Sequence, residues 1–249
     1  MRLMEEKHRA RCAGCGLLSA QCVCAHIAPI DNVTPVRVLQ HPNEARHALN
    51  TARWVVAGLR QAQLISKPCF TMEDWCVPGH EPVLLYPADA HADATADALD
   101  VRADADADAN AVDVRADADA VVDVAAAAVD EPLPHHRSDS DAHRVPCALV
   151  VIDGTWKQAA AILRMHPELL ALRRIALPAH LGSAYRLRKS PRPDGLSTVE
   201  AVVAALDVLD APTSHAAVLH PFLAQIDQQI AQQRVRMGEQ AFRHNYPDL

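Results

Sequence analysis

Short apolar runs alternate with helical patterns along most of this 249-residue chain. The apolar runs lie at 36–39, 83–86, 148–152 and 174–177, and each is short enough for a buried strand. Helical patterns lie at about 44–61, 157–165, 198–209 and 215–237, and Pro221 is expected to kink or split the last of them. Strands that alternate with helices predict an α/β fold with a mainly parallel sheet.

The run at 148–152 leads directly into four residues with distinctive chemistry: Asp153, Gly154, Thr155 and Trp156. An acid in this position lies at the carboxyl end of a strand, where open α/β sheets bind their ligands. Gly154 would let a ligand approach the backbone closely, and Thr155 is well placed to cap the helix that follows. Trp156 either packs on the sheet or stacks on a base. This segment is therefore the strongest candidate for a functional site.

A group of cysteines near the N-terminus has the spacing of a metal site. The pattern is C-x2-C-x6-C-x-C, and Gly14 and Gly16 provide the turn freedom that such a loop requires. Four closely spaced thiolates suit tetrahedral Zn²⁺, and a site with four cysteines leaves no coordination position open for catalysis. The alternatives are four unrelated thiols, a redox pair at the first two cysteines, or His26 in place of one ligand. The predicted ligands of a structural zinc are Cys12, Cys15, Cys22 and Cys24.

The segment 88–143 differs in composition from the rest of the chain. It holds 14 Asp and one Glu against three Arg, and its residues 100–107 are repeated without change at 113–120. A stretch rich in Ala and Asp repels itself and has little apolar surface to bury, so we expect a disordered insertion. The whole chain carries −7, but outside the insertion 21 basic residues face 16 acidic ones. This excess permits a nucleic-acid partner.

No apolar run approaches the roughly 20 residues that a membrane span requires, and residues 1–11 lack the apolar core of a secretory signal. We therefore expect a cytoplasmic protein without a membrane partner, in which the cysteines are thiols or metal ligands. The sequence leaves the oligomeric state open.

Several short motifs, in a common order, resemble the DTW-domain family. The family signature corresponds to Asp153-Gly154-Thr155-Trp156, and the family's N-terminal cysteine cluster matches the four cysteines above. Each motif is weak alone, but together they cover nearly the whole chain apart from the insertion. The other matching elements are His41-Pro42-Asn43-Glu44, Asn50-Thr51-Ala52-Arg53, Tyr185-Arg186-Leu187-Arg188 and Ser197-Thr198-Val199-Glu200-Ala201.

The family consists of tRNA-uridine aminocarboxypropyltransferases related to the knotted SPOUT class of RNA-modifying enzymes. The resemblance implies that S-adenosylmethionine donates its 3-amino-3-carboxypropyl group to N3 of a uridine in tRNA. It also implies a SPOUT-like knotted cofactor site. We expect a zinc-binding head at 1–28 and a DTW α/β domain at 29–249, interrupted at 88–143. A SPOUT-like RNA methyltransferase and a non-catalytic, zinc-dependent RNA-binding protein are the alternative functions.

Alkylation of uridine N3 requires removal of its proton, and Asp153 is the predicted general base. The alternative is that Asp153 only caps the following helix or orients the loop. Ser197 and Glu200 have the spacing of a capping box, so they cap a helix, bind the cofactor, or do both. The predicted cofactor-binding residues are Gly154, Thr155, Trp156, Ser197, Thr198 and Glu200. The predicted RNA-binding residues are Lys157, Arg186, Arg188, Lys189 and Arg192, whose charges suit phosphate contacts.

Overall fold

The structure is a computed structural model that describes residues 10–47, 49–86, 145–178, 181–186, 195–246 and 249. The predicted insertion at 88–143 lies outside the described residues, and so do Arg188, Lys189 and Arg192. None of the described helices combines the length and the apolar character that crossing a membrane would require.

The described residues form a five-stranded sheet in which all neighbouring strands are parallel. The order across the sheet is β2-β1-β4-β3-β5. This arrangement confirms the predicted α/β fold with a mainly parallel sheet. The strands are β1 (Val36–Gln40), β2 (Ala62–Ser66), β3 (Glu81–Leu85), β4 (Cys147–Asp153) and β5 (Arg173–Ile175).

Helices occupy much of the remaining described chain. The α-helices are α1 (Ala52–Gly58), α2 (Met72–Trp75), α3 (Trp156–Met165), α4 (Thr198–Leu209), α5 (His220–Met237) and α6 (Glu239–Asn245). Short 3-10 helices lie at Ser19–Gln21, Cys24–His26, Glu44–Arg46, Pro167–Ala171 and Ala216–Leu219.

The predicted helix at 44–61 is wrong in its extent. Its first part is only the 3-10 helix Glu44–Arg46, and α-helical structure begins at Ala52. The side-chain amide of Asn50 donates to the backbone carbonyl of Glu44 at 3.1 Å. Side-chain bonds of this kind compete with helical hydrogen bonds, so the chain turns here before α1 begins.

The predicted helix at 215–237 is divided near Pro221, as the sequence suggested. The 3-10 helix Ala216–Leu219 comes first, and α5 then begins at His220 with Pro221 in its first turn. A backbone nitrogen without a hydrogen is tolerated there, because the first N–H groups of a helix have no helical partner.

Helices cover both faces of the sheet, as buried parallel strands require. Helices α1, α4, α5 and α6 pack on one face around buried side chains that include Trp54, Val202 and Phe222. Helices α2 and α3 pack on the other face around Trp75 and Ile162. The described residues therefore form three layers, with the sheet in the middle.

The N-terminal cysteine segment shares the first of these two cores. Leu17 and Val23 are buried in the same cluster as Phe222. The side-chain amide of Gln21 donates to Oε1 of Gln232 in α5 at 2.7 Å. The segment is thus attached to α5, and the domain boundary predicted at residue 28 stays a prediction.

A buried charged group fixes the end of α4 beside the amino end of β1. Asp210 accepts hydrogen bonds from the backbone N–H groups of Val33 and Thr34, at 2.8 and 3.0 Å, and from the Thr34 hydroxyl at 2.6 Å. His215 is fully buried, with Nδ1 3.0 Å from Asp207 and Nε2 3.5 Å from Asp210. Burial lowers the pKa of His215, but the hydrogen bond to Asp207 and the attraction of both carboxylates outweigh it and raise the pKa to about 9. Burial raises the pKa of Asp210, but the nearby His215 and hydrogen bonds from Thr34 and Val33 hold it below its ordinary value.

The carboxyl ends of β1 and β4 mark the place where the direction of the connections reverses. From β1 the chain continues through α1 to β2 on one side of the sheet, and from β4 it continues through α3 to β5 on the other side. Open α/β sheets bind ligands at such a switch point. Gln40 and Asp153 are the last residues of the two strands and pair with each other in the strand register.

Candidate active site and metal centre

Asp153 is held at the switch point by two side-chain donors. Gln40 Nε2 donates to Oδ2 at 2.8 Å, and Thr198 Oγ1 donates to Oδ1 at 2.5 Å. Asp153 is 6% exposed, so its carboxylate depends on these donors for the hydrogen bonds that water would otherwise supply. The strand end and the start of α4 therefore fix the position of this carboxylate together.

Gln40 is a site residue that sequence reasoning missed. It is 1% exposed and lies one residue beyond the apolar run at 36–39. The sequence did contain a signal for Gln40, namely a polar residue directly after a predicted buried strand. The backbone N–H of His41 also donates to the Asp153 carbonyl at 3.0 Å, and His41 Nδ1 accepts from the Asn43 N–H at 3.2 Å. His41 thus acts as a turn residue in this structure.

Gly154 and Thr155 form the tight entry into α3. Thr155 Oγ1 accepts from the Gln158 N–H at 3.3 Å, and Gln158 Oε1 accepts from the Thr155 N–H at 2.7 Å. The predicted capping role of Thr155 is confirmed. A Cβ atom on Gly154 would lie 3.0 Å from Cβ and Oε1 of Gln158 and 3.6 Å from Cβ of His41. Protein atoms therefore occupy the space beside this glycine.

The predicted capping box at the start of α4 is present. Glu200 Oε2 accepts from the Ser197 N–H at 2.8 Å and from the Ser197 hydroxyl at 2.5 Å. The next residue, Thr198, is the one that donates to Asp153. The cap thus fixes the helix turn that supplies one of the two donors to the candidate base.

The four predicted metal ligands converge. Their sulfur atoms all lie within 4.8 Å of one another, and this group could hold a metal ion. The sulfur of Cys12 is 3.4 Å from that of Cys22 and 3.5 Å from that of Cys24, and the sulfurs of Cys15 and Cys22 are 3.9 Å apart. A Zn–S bond of about 2.3 Å places the sulfurs of a tetrahedron about 3.8 Å apart, so these separations fit zinc. Four unrelated thiols are not consistent with this geometry.

Local backbone structure explains how the cysteines meet. The Cys12 N–H donates to the Leu17 carbonyl at 2.7 Å, and the Gly16 N–H donates to the Cys12 carbonyl at 2.9 Å, which closes a tight loop. Gly16 has a φ of +72°, which favours glycine. A Cβ on Gly14 would lie only 2.8 Å from the sulfur of Cys24, so that position also requires glycine.

The pKa values of two of the four thiols are shifted in opposite directions. Backbone hydrogen bonds from Cys15 and Gly14 lower the pKa of Cys12 to about 6. Hydrogen bonding to Cys12 and Cys22 raises the pKa of Cys24 to about 12. Four sulfurs at this spacing cannot all ionise without a cation between them, because their charges repel.

A family model for the DTW domain matches residues 9–230 of this chain. The chain belongs to the DTW domain family. It is similar to a Drosophila melanogaster protein named tRNA-uridine aminocarboxypropyltransferase 2, with 45% identity over 65 residues. This match covers 26% of the chain and 26% of that relative, so it spans about a quarter of the relative's length. No solved structure matches the chain.

In this DTW domain the signature residues divide between the two faces of the sheet. Asp153 contacts Thr198 of α4 on one face. The Trp156 ring, which is 38% exposed, lies edge-on to the Tyr86 ring, with 6.4 Å between centroids. Tyr86 directly follows β3 and belongs to the core on the other face. Sequence reasoning missed Tyr86 as a neighbour of the signature.

Two of the predicted RNA-binding residues, Lys157 and Arg186, lie in the described part of the DTW domain. Lys157 lies exposed in the first turn of α3. Arg186 Nη2 is 2.5 Å from Oδ1 of Asp227 in α5. The roles of these residues in RNA binding stay predictions, as do the cofactor contacts proposed for the residues around Asp153.

Proposed function

We propose that this DTW-domain protein transfers the 3-amino-3-carboxypropyl group of S-adenosylmethionine to N3 of a uridine in tRNA. One observation carries the proposal: a buried carboxylate, Asp153, is held by two donors at the switch point of a parallel sheet. Family membership and the name of the Drosophila melanogaster relative support the reaction class.

Asp153 accepts the N3 proton in the proposed reaction. An ionised carboxylate has about four acceptor positions, and in the described part of the chain the bonds from Gln40 and Thr198 use one on each oxygen. A remaining lone pair can therefore face the uridine. As the bond from N3 to the Cγ carbon forms, the carbon–sulfur bond breaks, the sulfonium leaves as a neutral thioether, and the proton passes to Asp153. A base in this role contributes about 10²–10⁴-fold.

S-adenosylmethionine supplies an electrophilic carbon next to a positively charged sulfur. The amino end of α4, a helix of 12 residues, is suited to the donor's carboxylate, because the first backbone N–H groups of a helix are free of helical partners. Gly154, Thr155, Trp156, Ser197 and Thr198 surround Asp153 in sequence or in space and are the proposed lining of this site. The SPOUT-like knotted path around the donor belongs to the same proposal.

The four-cysteine group holds a structural Zn²⁺ in this proposal. Sulfur separations close to those of a tetrahedral site support this choice of metal. Cys12, Cys15, Cys22 and Cys24 would fill all four coordination positions, so the metal stabilises the head and takes no part in the transfer. Lys157, Arg186 and the sequence neighbours Arg188, Lys189 and Arg192 are the proposed phosphate contacts.

A label-transfer assay tests the proposed function. Purified protein is incubated with tRNA and S-adenosylmethionine labelled in the aminobutyrate portion, and a parallel reaction uses donor labelled in the methyl group. Aminobutyrate label on the tRNA, with the mass of an aminocarboxypropyl group on a uridine, is expected. Transfer of the methyl label alone would identify a methyltransferase instead. Binding of tRNA without transfer of either label would favour a non-catalytic RNA-binding protein.

A further inference from the structure

Glu200, in the first turn of α4, uses both carboxylate oxygens on protein donors. Besides the two bonds from Ser197, Oε2 accepts from the Ser183 hydroxyl at 2.8 Å and Oε1 accepts from the Ala184 N–H at 2.6 Å. Glu200 is 8% exposed, so its charge depends on these donors. The capping box accounts for the bonds from Ser197 only. The bonds from Ser183 and Ala184 need another explanation.

These two further bonds tie α4 to the stretch 183–186. The Ser183 hydroxyl also accepts from the Tyr185 N–H at 3.1 Å. The buried Tyr185 ring lies edge-on to Phe222 of α5, with 5.4 Å between centroids. Arg186 pairs with Asp227 of α5, and the Arg186 side chain is 47% exposed. The stretch is therefore held against two helices while its cationic end stays at the surface.

The same helix turn reaches the candidate base. Thr198 lies two residues before Glu200 and donates to Asp153. A displacement of this turn would therefore alter the contacts of the 183–186 stretch and of Asp153 together. Arg186 also precedes the other cations of the predicted RNA-binding set in the sequence.

We propose that Glu200 is a positioning residue for tRNA rather than a residue that binds S-adenosylmethionine. It fixes the stretch 183–186, and with it the Arg186 guanidinium, relative to the Asp153 carboxylate. Phosphate contacts fix the register and orientation of a nucleic acid, so their placement relative to the base determines whether a uridine reaches Asp153. This inference rests on the proposed function.

The test uses Ser183→Ala, which removes one donor to Glu200 outside the capping box, and Glu200→Gln, which keeps the shape but removes the charge. Ser214→Ala is the matched control, because Ser214 is an exposed serine that accepts from the Ala216 N–H in a separate turn. Steady-state transfer is measured while tRNA and S-adenosylmethionine are varied separately, and tRNA binding and melting temperature are measured for each protein.

The inference predicts that Ser183→Ala raises KM for tRNA about fivefold, the factor that corresponds to one net hydrogen bond. We expect KM for S-adenosylmethionine to match that of Ser214→Ala, and the melting temperature to fall slightly because Glu200 loses a donor, while the protein stays folded at the assay temperature. A larger rise in the KM for tRNA is expected for Glu200→Gln. Equal KM values for tRNA in Ser183→Ala and Ser214→Ala would overturn the inference. A rise confined to the KM for S-adenosylmethionine would also overturn it, because Glu200 would then serve the donor.

The proposed function and this inference fail in different ways. If the wild-type protein transfers no label, the proposed function fails, and the dissociation constants for tRNA still rank the variants. If the wild type transfers label and Ser183→Ala behaves like the control, only the inference fails.

Discussion

The buried His215 group allows a quantitative prediction about stability. His215 is fully buried between Asp207 and Asp210, and its pKa rises from the ordinary 6.5 to about 9. A group whose pKa is higher in the folded state binds its proton more tightly there, so folding is favoured wherever that proton is present. The contribution is complete below about pH 6.5 and is lost as the pH rises through about 9.

The size of the effect follows from the same two values. A rise from 6.5 to about 9 corresponds to about 3 kcal/mol of folding free energy, as an upper limit. The free energy of unfolding is measured by urea titration from about pH 6 to about pH 10, at constant zinc and reductant, for the wild type and for His215→Gln. We expect the difference between the two proteins to shrink by about 3 kcal/mol over this range.

An exposed histidine provides the matched control. His244→Gln, in α6, removes a histidine from the surface and is measured over the same pH range. A difference for His215→Gln that stays constant from about pH 6 to about pH 10 would contradict the raised pKa, because it would mean that His215 carries no extra proton in the folded state. In Asp207→Asn the free energy of unfolding should depend less on pH than it does in the wild type, since Asp207 is the carboxylate nearer to His215.

Three further predictions concern the site, the metal and the insertion. Gln40→Leu should lower kcat about tenfold, because Asp153 loses a donor that fixes its position; an unchanged kcat would contradict this role. The protein should hold one zinc ion per chain, and Cys24→Ser should lose it and unfold at lower urea concentration; metal analysis that finds equal zinc in both proteins would exclude the four-cysteine site. Replacing 88–143 by a Gly/Ser linker should leave activity intact; a linker of about 12 residues is needed because β3 and β4 are parallel neighbours, and loss of folding or turnover would contradict a dispensable insertion.

Local patterns in the sequence predicted the parts of the fold that depend on neighbouring residues. The buried run before Asp153, the cap at Thr155 and the capping box of Ser197 and Glu200 are all set within a few residues, and all are present. The cysteine spacing likewise indicated the metal group, since its four ligands lie within 13 residues.

Features that depend on residues far apart in the chain could not be predicted from local sequence patterns. Strand β2 is only partly buried and carries Gln63 at an exposed position, so no apolar run marks it. The bond from Gln40 to Asp153 joins residues 113 positions apart and follows from the strand register. The contact between Glu200 and Ser183 also requires the folded loop, because nothing in a capping-box pattern specifies a second partner. These long-range contacts bring residues of separate motifs together in one site.

The proposed function depends on Asp153 acting as the base for transfer to uridine N3. The most direct test compares Asp153→Asn with Asp31→Asn, an exposed aspartate that lies before β1 and serves as the control. Transfer of the labelled aminobutyrate portion to tRNA is measured together with tRNA binding. We expect Asp153→Asn to bind tRNA as the wild type does but to transfer label about 10²–10⁴-fold more slowly, while Asp31→Asn is unaffected. Transfer by Asp153→Asn at the wild-type rate would contradict a role of Asp153 as the base.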